Sequence, residues 1–534
     1  MQDPATNPRI EFSDSFVEAR GCKRWLESVP LTNLHRAAEA ICLQLDRLRA
    51  APIPAIERLR IAEVLREPAM FLHGELAKRY AGKPLPHVDR ELEAAEDAIR
   101  LWQSLWALYS QCLKALFDGD HTLPSQPSRL LQRALFVGKQ LVLTHGLARR
   151  LLPPAFWSEL HAFYRFAEIL NCTTVAVDDP YIADTEGVSC YSTYSHGLLA
   201  LLADPYALTV REIELVDRWL AMWGRKVHPV PGPVAADAPL LAVDLDGSGG
   251  YAVIPMSPAS PSPTLRFGQT AKLAQSVGGR VKKLANGATP AELKLGDDCK
   301  VESSVRLLKH LYARWCLAPR RYVQDAVENQ VRLCAGGLPA AYFRLTGRTL
   351  RSEEPRDRFT FSAAQRFATL DAVQGYDPRR DLAEREWPWE HWQGVLSGSD
   401  ATLRRAERTA HRWHLDQLVL CGADDSVRPG YVTWIAEERG EEGRRALSAR
   451  VALWSGQVDP LALRQVDELL KNDPPFAALR ITSSLDGGNS LVLPPRAWAP
   501  GRRLRAADGE QRGFVLGKLL QRGADFDRVS FEPD

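Results

Sequence analysis

From Leu26 to about Gly224 the apolar residues recur with helical spacing. The clearest series is Leu92, Ala95, Ile99, Trp102, Trp106, Tyr109, Leu113 and Leu116. It advances in steps of three and four, so it forms one stripe on a single helix that must be buried against others. The same period predicts helices over Ile56 to Tyr80, Leu130 to Leu147, Trp157 to Ile169 and Val210 to Trp223. Prolines punctuate them at Pro52-Ile53-Pro54, Gly82-Lys83-Pro84, Pro124 to Pro127 and Pro153-Pro154. There the ring either opens the next helix or bars the preceding one. The expected result is a run of antiparallel helix pairs, similar to a tetratricopeptide-type (TPR-like) scaffold but without a fixed repeat of about 34 residues. The usual work of such a scaffold is contact with another protein.

After the proline-rich stretch Pro229 to Pro233 the pattern changes. Leu240 to Leu245 and Tyr251 to Ile254 are short apolar runs around the turn Asp246-Gly247-Ser248-Gly249-Gly250, which reads as a hairpin. Two further helices are expected over Gln269 to Leu284 and Val301 to Cys316, the latter with Leu307, Leu308, Leu311 and Trp315 on its inner face. From Arg320 onward strands are predicted over Gln330 to Cys334, Gln417 to Cys421, Tyr431 to Ala436, Ala446 to Trp454, Ala478 to Ser483, Ser490 to Leu493 and Arg512 to Leu516. Between the first two, about Arg348 to Ala410, lies a charged stretch with Trp387, Trp389 and Trp392, expected to be partly ordered.

The fold class predicted is α+β multidomain. It comprises a helical scaffold over residues 1–228, a hairpin-plus-helix connecting region over 229–318, a small antiparallel barrel over 319–460 interrupted by a long insertion (about 348–410), and a β-rich segment over 461–534. The strands before and after the insertion are expected to close into one barrel, because neither half has enough strands alone.

Composition narrows the functional classes. With 45% hydrophobic and 25% charged residues the chain is an ordinary soluble protein, and 534 residues make about three folding units. Lys plus Arg number 68 against 66 Asp plus Glu, so no overall field draws it to nucleic acid or to an anionic membrane. Any anion site must be local. The nine cysteines include no CxxC pair and fit neither a disulfide framework nor a zinc ribbon; a reducing cytoplasmic setting is expected. The first residues lack the pattern of a signal peptide, and no apolar run suits a membrane span.

Catalytic signatures are absent: no phosphate loop, dinucleotide fingerprint, nucleophile elbow or HExxH occurs. Gly247-Ser248-Gly249-Gly250 reads as a plain turn, since no helix N-terminus follows it. His411 and His414 have i, i+3 spacing but no third metal ligand nearby, and Cys316 and Cys334 sit among apolar residues as packing thiols. Arg320-Arg321, directly before the strand from Gln330, has more to offer. Two planar guanidinium forks can grip a phosphate and the O6/N7 edge of a guanine, although the same pair can simply cap the preceding helix.

Several stretches resemble the long, cytoplasmic bacterial proteins of the PilZ family, which bind cyclic di-GMP and carry a helical N-terminal region. They are Trp157 to Glu168, Leu201 to Leu208, Leu307 to Trp315 running into Arg320-Arg321-Tyr322, and Val432-Thr433-Trp434-Ile435. The family's ligand motifs are RRxxxR at the barrel entrance and [DN]xSxxG on a later strand. The resemblance implies that Arg320 and Arg321 hold phosphates and guanine edges, and that Asp424, Ser426 and Gly430 close on the base. Both motifs depart from the pattern: Asp325 replaces the third arginine, Pro429 takes the glycine place, and Gly430 comes one residue late. A charge-assisted hydrogen bond contributes about 1.5–3 kcal/mol. Aspartate for arginine thus implies binding weaker by about two orders of magnitude unless Arg332 or Arg428 substitutes.

The function implied is a non-catalytic signalling adaptor that senses cyclic di-GMP, needs no cofactor, and meets another protein through its helices, with no nucleic acid or membrane partner. Two alternatives stand beside it. One is a scaffold that no longer binds nucleotide. The other is an enzyme assembled from distant residues such as Asp244 and Asp246 with His310 or His414.

Overall fold

The computed structural model describes residues 16–123, 127–182, 187–235, 237–256, 258, 260–318, 329–350, 378–406, 411–423, 426–439, 445–466, 474–482, 489–507 and 512–534. The chain divides into two compact units. The first holds residues up to Lys83 and His87–Tyr322; the second holds Pro84–Pro86 and Val323–Asp534.

In the first unit the helical period yields α1 (Ala19–Ser28), α2 (Leu34–Ala50), α3 (Ala55–Tyr80), α4 (Asp89–Phe117), α5 (Pro127–Leu147), α6 (Pro154–Ile169), α7 (Cys190–Leu202) and α8 (Val210–Trp223). Helix α5 is buried all round, the mark of a central helix, and α3, α4, α6, α7 and α8 pack on it. Gly138 permits this. A Cβ there would stand 2.3 Å from Trp106 of α4, so only glycine lets the two helices approach so closely.

A central helix buries its polar residues too, and these have partners. Arg66 Nη2 lies 2.8 Å from both carboxylate oxygens of Asp179, and Arg133 Nη1 lies 2.8 Å from Oδ2. Gln132 Nε2 also donates to Asp179 (3.2 Å), and Arg133 reaches Glu63 (3.3 Å). Nearby, Lys139 and His196 both contact Asp217 Oδ1, at 3.1 and 2.7 Å. Burial alone would raise the Asp217 pKa, but these two partners hold it well below the usual carboxylate range. Charges this deep fix the helices in one arrangement, because breaking any pair strands its partner away from water.

The same unit continues through a four-stranded antiparallel sheet of β1 (Val230–Pro231), β2 (Leu240–Asp244), β3 (Ala252–Ile254) and β4 (Leu265–Gln269), in the order β1-β4-β2-β3. The hairpin read from the sequence is β2–β3. Helices α9 (Ala271–Ala285) and α10 (Val301–Cys316) come next, with Leu307, Leu308, Leu311 and Trp315 buried as their spacing predicts. Among the described residues no helix is long and apolar enough to cross a membrane.

The second unit is two closed six-stranded antiparallel barrels. The first is built from β5 (Asn329–Cys334), β6 (Glu390–Ser397), β7 (Asp400–Arg405), β8 (Leu418–Ala423), β9 (Ser426–Arg439) and β10 (Arg445–Leu453), ordered β10-β7-β6-β5-β8-β9. Of the stretch 348–410 expected to be a partly ordered insertion, residues 351–377 and 407–410 lie outside the described residues, and the described part is barrel rather than insertion: strands β6 and β7 close the barrel, and Trp392 is part of its core. The reason is legible in β6: Glu390, Trp392 and Gly394 face inward while His391 and Gln393 are exposed, so polar residues on the outer face conceal a strand period. Leu85 belongs to this unit as well. It exchanges backbone hydrogen bonds with Trp413 (2.7 and 2.6 Å) and is fully buried in the core.

The second barrel comprises β11 (Gln457–Gln465), β12 (Phe476–Thr482), β13 (Ser490–Leu493), β14 (Arg503–Ala506), β15 (Gly513–Arg522) and β16 (Asp527–Pro533), ordered β11-β12-β13-β16-β15-β14. The residues expected to form a terminal β segment thus make a closed barrel with a core of its own around Leu463, Leu491, Leu504, Phe514 and Val529. A third cluster joins the barrels, where Leu418, Leu420 and Trp454 meet Leu479, Ile481, Val492 and Phe526. Helix α11 (Gly337–Thr346) contributes Leu338 and Phe343 to it, and Trp387, directly after α12 (Pro378–Glu386), completes it.

Candidate ligand site at the rim of the first barrel

Arg320, Arg321 and Asp424 lie outside the described residues, as does Asp325. The described residues that follow the arginines and flank Asp424 in sequence belong to the barrel. Strand β5 opens at the exposed Asn329 and pairs with β8 through Arg332 opposite Gly422 and Cys334 opposite Leu420. The start of β5 is therefore level with the end of β8, where Ala423 and Ser426 close the β8–β9 hairpin. On its other side β5 pairs Asn329 with Gly394 of β6, which soon turns at Gly398. One barrel end thus gathers Asn329, Gly398, Ala423 and Ser426. Arg320-Arg321 precede Asn329 in the chain, and Asp424 stands between Ala423 and Ser426.

Of the sequence candidates, Ser426 is exposed at this rim and opens β9. Gly430 is buried deeper in the same strand, opposite Val419 and Leu453, and has a packing reason of its own. A Cβ there would stand 2.3 Å from the Ala452 carbonyl oxygen, a distance no side chain tolerates. Pro429 is paired with Leu420, and its carbonyl accepts a hydrogen bond from Trp454 N (3.0 Å).

The two arginines weighed as substitutes behave differently. Arg428 Nη2 donates to the carbonyl of Gly398 (2.8 Å), which draws it across the rim toward the β6–β7 turn. Arg332 lies with its guanidinium 5.3 Å from the centre of the Trp389 indole, and its buried Nε has no hydrogen-bond partner. Arg344 of α11 sits 5.4 Å from the same ring while donating to the carbonyl of Trp387. Two cations thus lie against one aromatic ring, and Arg332 has no carboxylate partner among the described residues. Trp389 precedes β6, whose Glu390 pairs with Leu333 while Gly394 pairs with Asn329, so this cluster lies at the end of the barrel away from the rim, beside α11. Sequence reasoning registered Trp389 only as part of a tryptophan cluster, since its partners come from a strand and a helix far from it along the chain.

The other candidates resolve into packing and turn chemistry. Burial pushes the Cys334 thiol up to about 11 and those of Cys316 and Cys421 to about 12, so all three are protonated packing groups. His411 packs edge-on against Trp413, and its backbone N–H donates to Glu390 Oε1 (2.9 Å), whereas His414 Nδ1 meets the carbonyl of Leu415 (2.9 Å). In the first unit Asp244 accepts from Asp246 N (3.1 Å), Asp246 pairs with Arg165 (2.6 Å), and His310 Nε2 bonds the carbonyl of Ala203 (2.8 Å). No three His, Cys, Asp or Glu side chains converge as metal ligands among the described residues.

Comparison with known proteins adds one similarity. No curated protein and no solved structure matches the chain significantly. Residues 20–232, which run from the second residue of α1 through α8, match the family model described as the N-terminal domain of the cyclic-di-GMP receptor FimW.

Proposed function

We propose that this chain is a non-catalytic, cytoplasmic adaptor that responds to cyclic di-GMP. The observation that carries the reading is the likeness of residues 20–232 to the N-terminal domain of a cyclic-di-GMP receptor. Support comes from the C-terminal half of the chain, where Arg320-Arg321 precede in sequence the first strand of a small closed barrel, the order that a PilZ-like domain would have. In this reading Arg320 and Arg321 grip the ligand, while Asp424 and Ser426 approach it from the hairpin. Arg428, whose guanidinium reaches the Gly398 carbonyl at the same rim, supplies the positive charge that Asp325 withholds. The helical unit is the surface for a protein partner. Ligand binding changes that contact only by as much as the ligand's affinity differs between two arrangements of the protein.

A second reading is favoured by Asp325 and Pro429: the barrel has lost its nucleotide and serves as a scaffold. Hydrogen exchange on the full chain, with and without cyclic di-GMP, separates the two. The proposal expects protection around 320–332 and 420–430. Protection confined to 20–232 would move the site into the helical unit, and no change at millimolar ligand would leave the scaffold.

A further inference from the structure

Within the two-barrel unit lies a cavity of about 600 Å3 that shares no residue with the rim described above. That volume suits a small organic molecule. Its lining is mainly apolar and aromatic, with Leu338, Tyr342, Trp387, Phe476 and Pro495, and it contains one half-buried carboxylate, Asp525.

Asp525 is held in place from behind. Its Oδ1 accepts the backbone N–H of Leu418 at 2.8 Å. Oδ2 lies 3.3 Å from the point where a Cβ on Gly337 would stand, so the glycine, at φ +64°, keeps the space beside that oxygen clear. Burial raises its pKa, against the lowering effect of the Leu418 N–H, its own backbone N–H and His414. An aromatic, proline-edged cavity lined by a partly desolvated carboxylate selects for a flat molecule whose N–H groups point to that carboxylate.

We propose that this cavity binds a small, planar amino-heteroaromatic molecule, its ring among Tyr342, Trp387 and Phe476 and its N–H donors on Asp525 Oδ2. The site is separate from the cyclic di-GMP rim, and its claim stands without that reading.

The test uses 2-aminobenzimidazole as probe and 1-methylindole, equally flat but without an N–H donor, as control. Both are titrated calorimetrically into the full chain. Saturable binding of the first and at least tenfold weaker binding of the second are expected. Asp525→Asn keeps an acceptor for Leu418 but loses the charge. It should weaken the probe by about 10- to 100-fold, the span of one charge-assisted hydrogen bond. Leu350→Trp, which adds bulk to the lining, should abolish binding, with circular dichroism checking that each variant is folded. Cyclic di-GMP affinity of the folded Asp525→Asn variant should match the parent. No binding of the probe at millimolar concentration, equal binding of both probes, or indifference to Asp525→Asn overturns the assignment. So does loss of cyclic di-GMP binding in that variant, which would make the cavity part of the rim site.

Discussion

The guanidinium of Arg332 lies 5.3 Å from the centre of the Trp389 ring, with a buried Nε that has no hydrogen-bond partner. The β5–β6 register places this pair at the end of β6 remote from Gly394 and the Gly398 turn, so its work is packing beside α11. Arg332→Ala is therefore expected to leave cyclic di-GMP affinity unchanged and to lower the barrel's unfolding midpoint. Arg428→Ala, which removes the guanidinium at the rim, should weaken binding at least tenfold. Equilibrium titration and thermal unfolding of both variants check this, and binding lost in Arg332→Ala would place the ligand at the Trp389 end instead.

Gly430 offers a separation between ligand contact and architecture. Because a Cβ would sit 2.3 Å from the Ala452 carbonyl oxygen, Gly430→Ala must displace β10 from β9. Overpacking of this sort costs about 1–3 kcal/mol. Thermal unfolding should show a lowered midpoint for the barrel whether or not ligand is present. A variant of parental stability with weakened binding would instead give Gly430 a direct ligand role.

Within the helical unit the buried charges set a larger effect. The side chains of Arg66 and Asp179 are 2% and 0% exposed, and Arg133 shares the same carboxylate. Asp179→Ala leaves Arg66 with Glu63 only at 3.9 Å while Arg133 keeps Glu63 at 3.3 Å, so a loss of about 3 kcal/mol is expected, the lower end of what removing one member of a buried pair costs. Denaturant titration followed by helical circular dichroism measures it. A loss below about 1 kcal/mol would mean that water reaches the site.

The pH dependence rests on two buried histidines. Burial lowers the pKa of His73, and that of His145, from 6.5 to about 4. The Trp102 indole N–H donates to His73 Nδ1 (3.1 Å), a bond that a protonated ring cannot accept. Unfolded, both rings bind a proton near pH 6.5; folded, they stay neutral until about pH 4. Their stabilising contribution is thus complete above about pH 6.5 and is lost as the pH falls toward 4. The midpoint of helical unfolding should drop steadily between pH 6.5 and 4.5, with a shallower slope in His73→Gln. A flat profile would contradict the neutral buried rings.

Helices were legible wherever one face alone was apolar, as in α10 with Leu307, Leu308, Leu311 and Trp315. Strands were missed where the apolar face was brief. In β6 Trp392 is flanked by His391 and Gln393, and in β11 Asp459 and Pro460 interrupt the period, so two barrels read as one barrel and a tail. The Arg66–Asp179 pair, 113 residues apart, has no local signature, because only the packing of α3 against α5 and the loop before α7 brings it together. The candidate rim was read from motif likeness, and its frame is set by β5, β8 and β9. The chemistry of Arg332 on Trp389 needed the fold.

Calorimetric titration of the full chain with cyclic di-GMP, repeated on Arg320→Ala and Arg321→Ala, tests the central claim most directly. Saturable binding in the parent, lost or weakened at least tenfold in each variant with its circular dichroism unchanged, is the predicted result. Absence of binding at high micromolar ligand by folded parent protein, or equal affinity in all three, would contradict it.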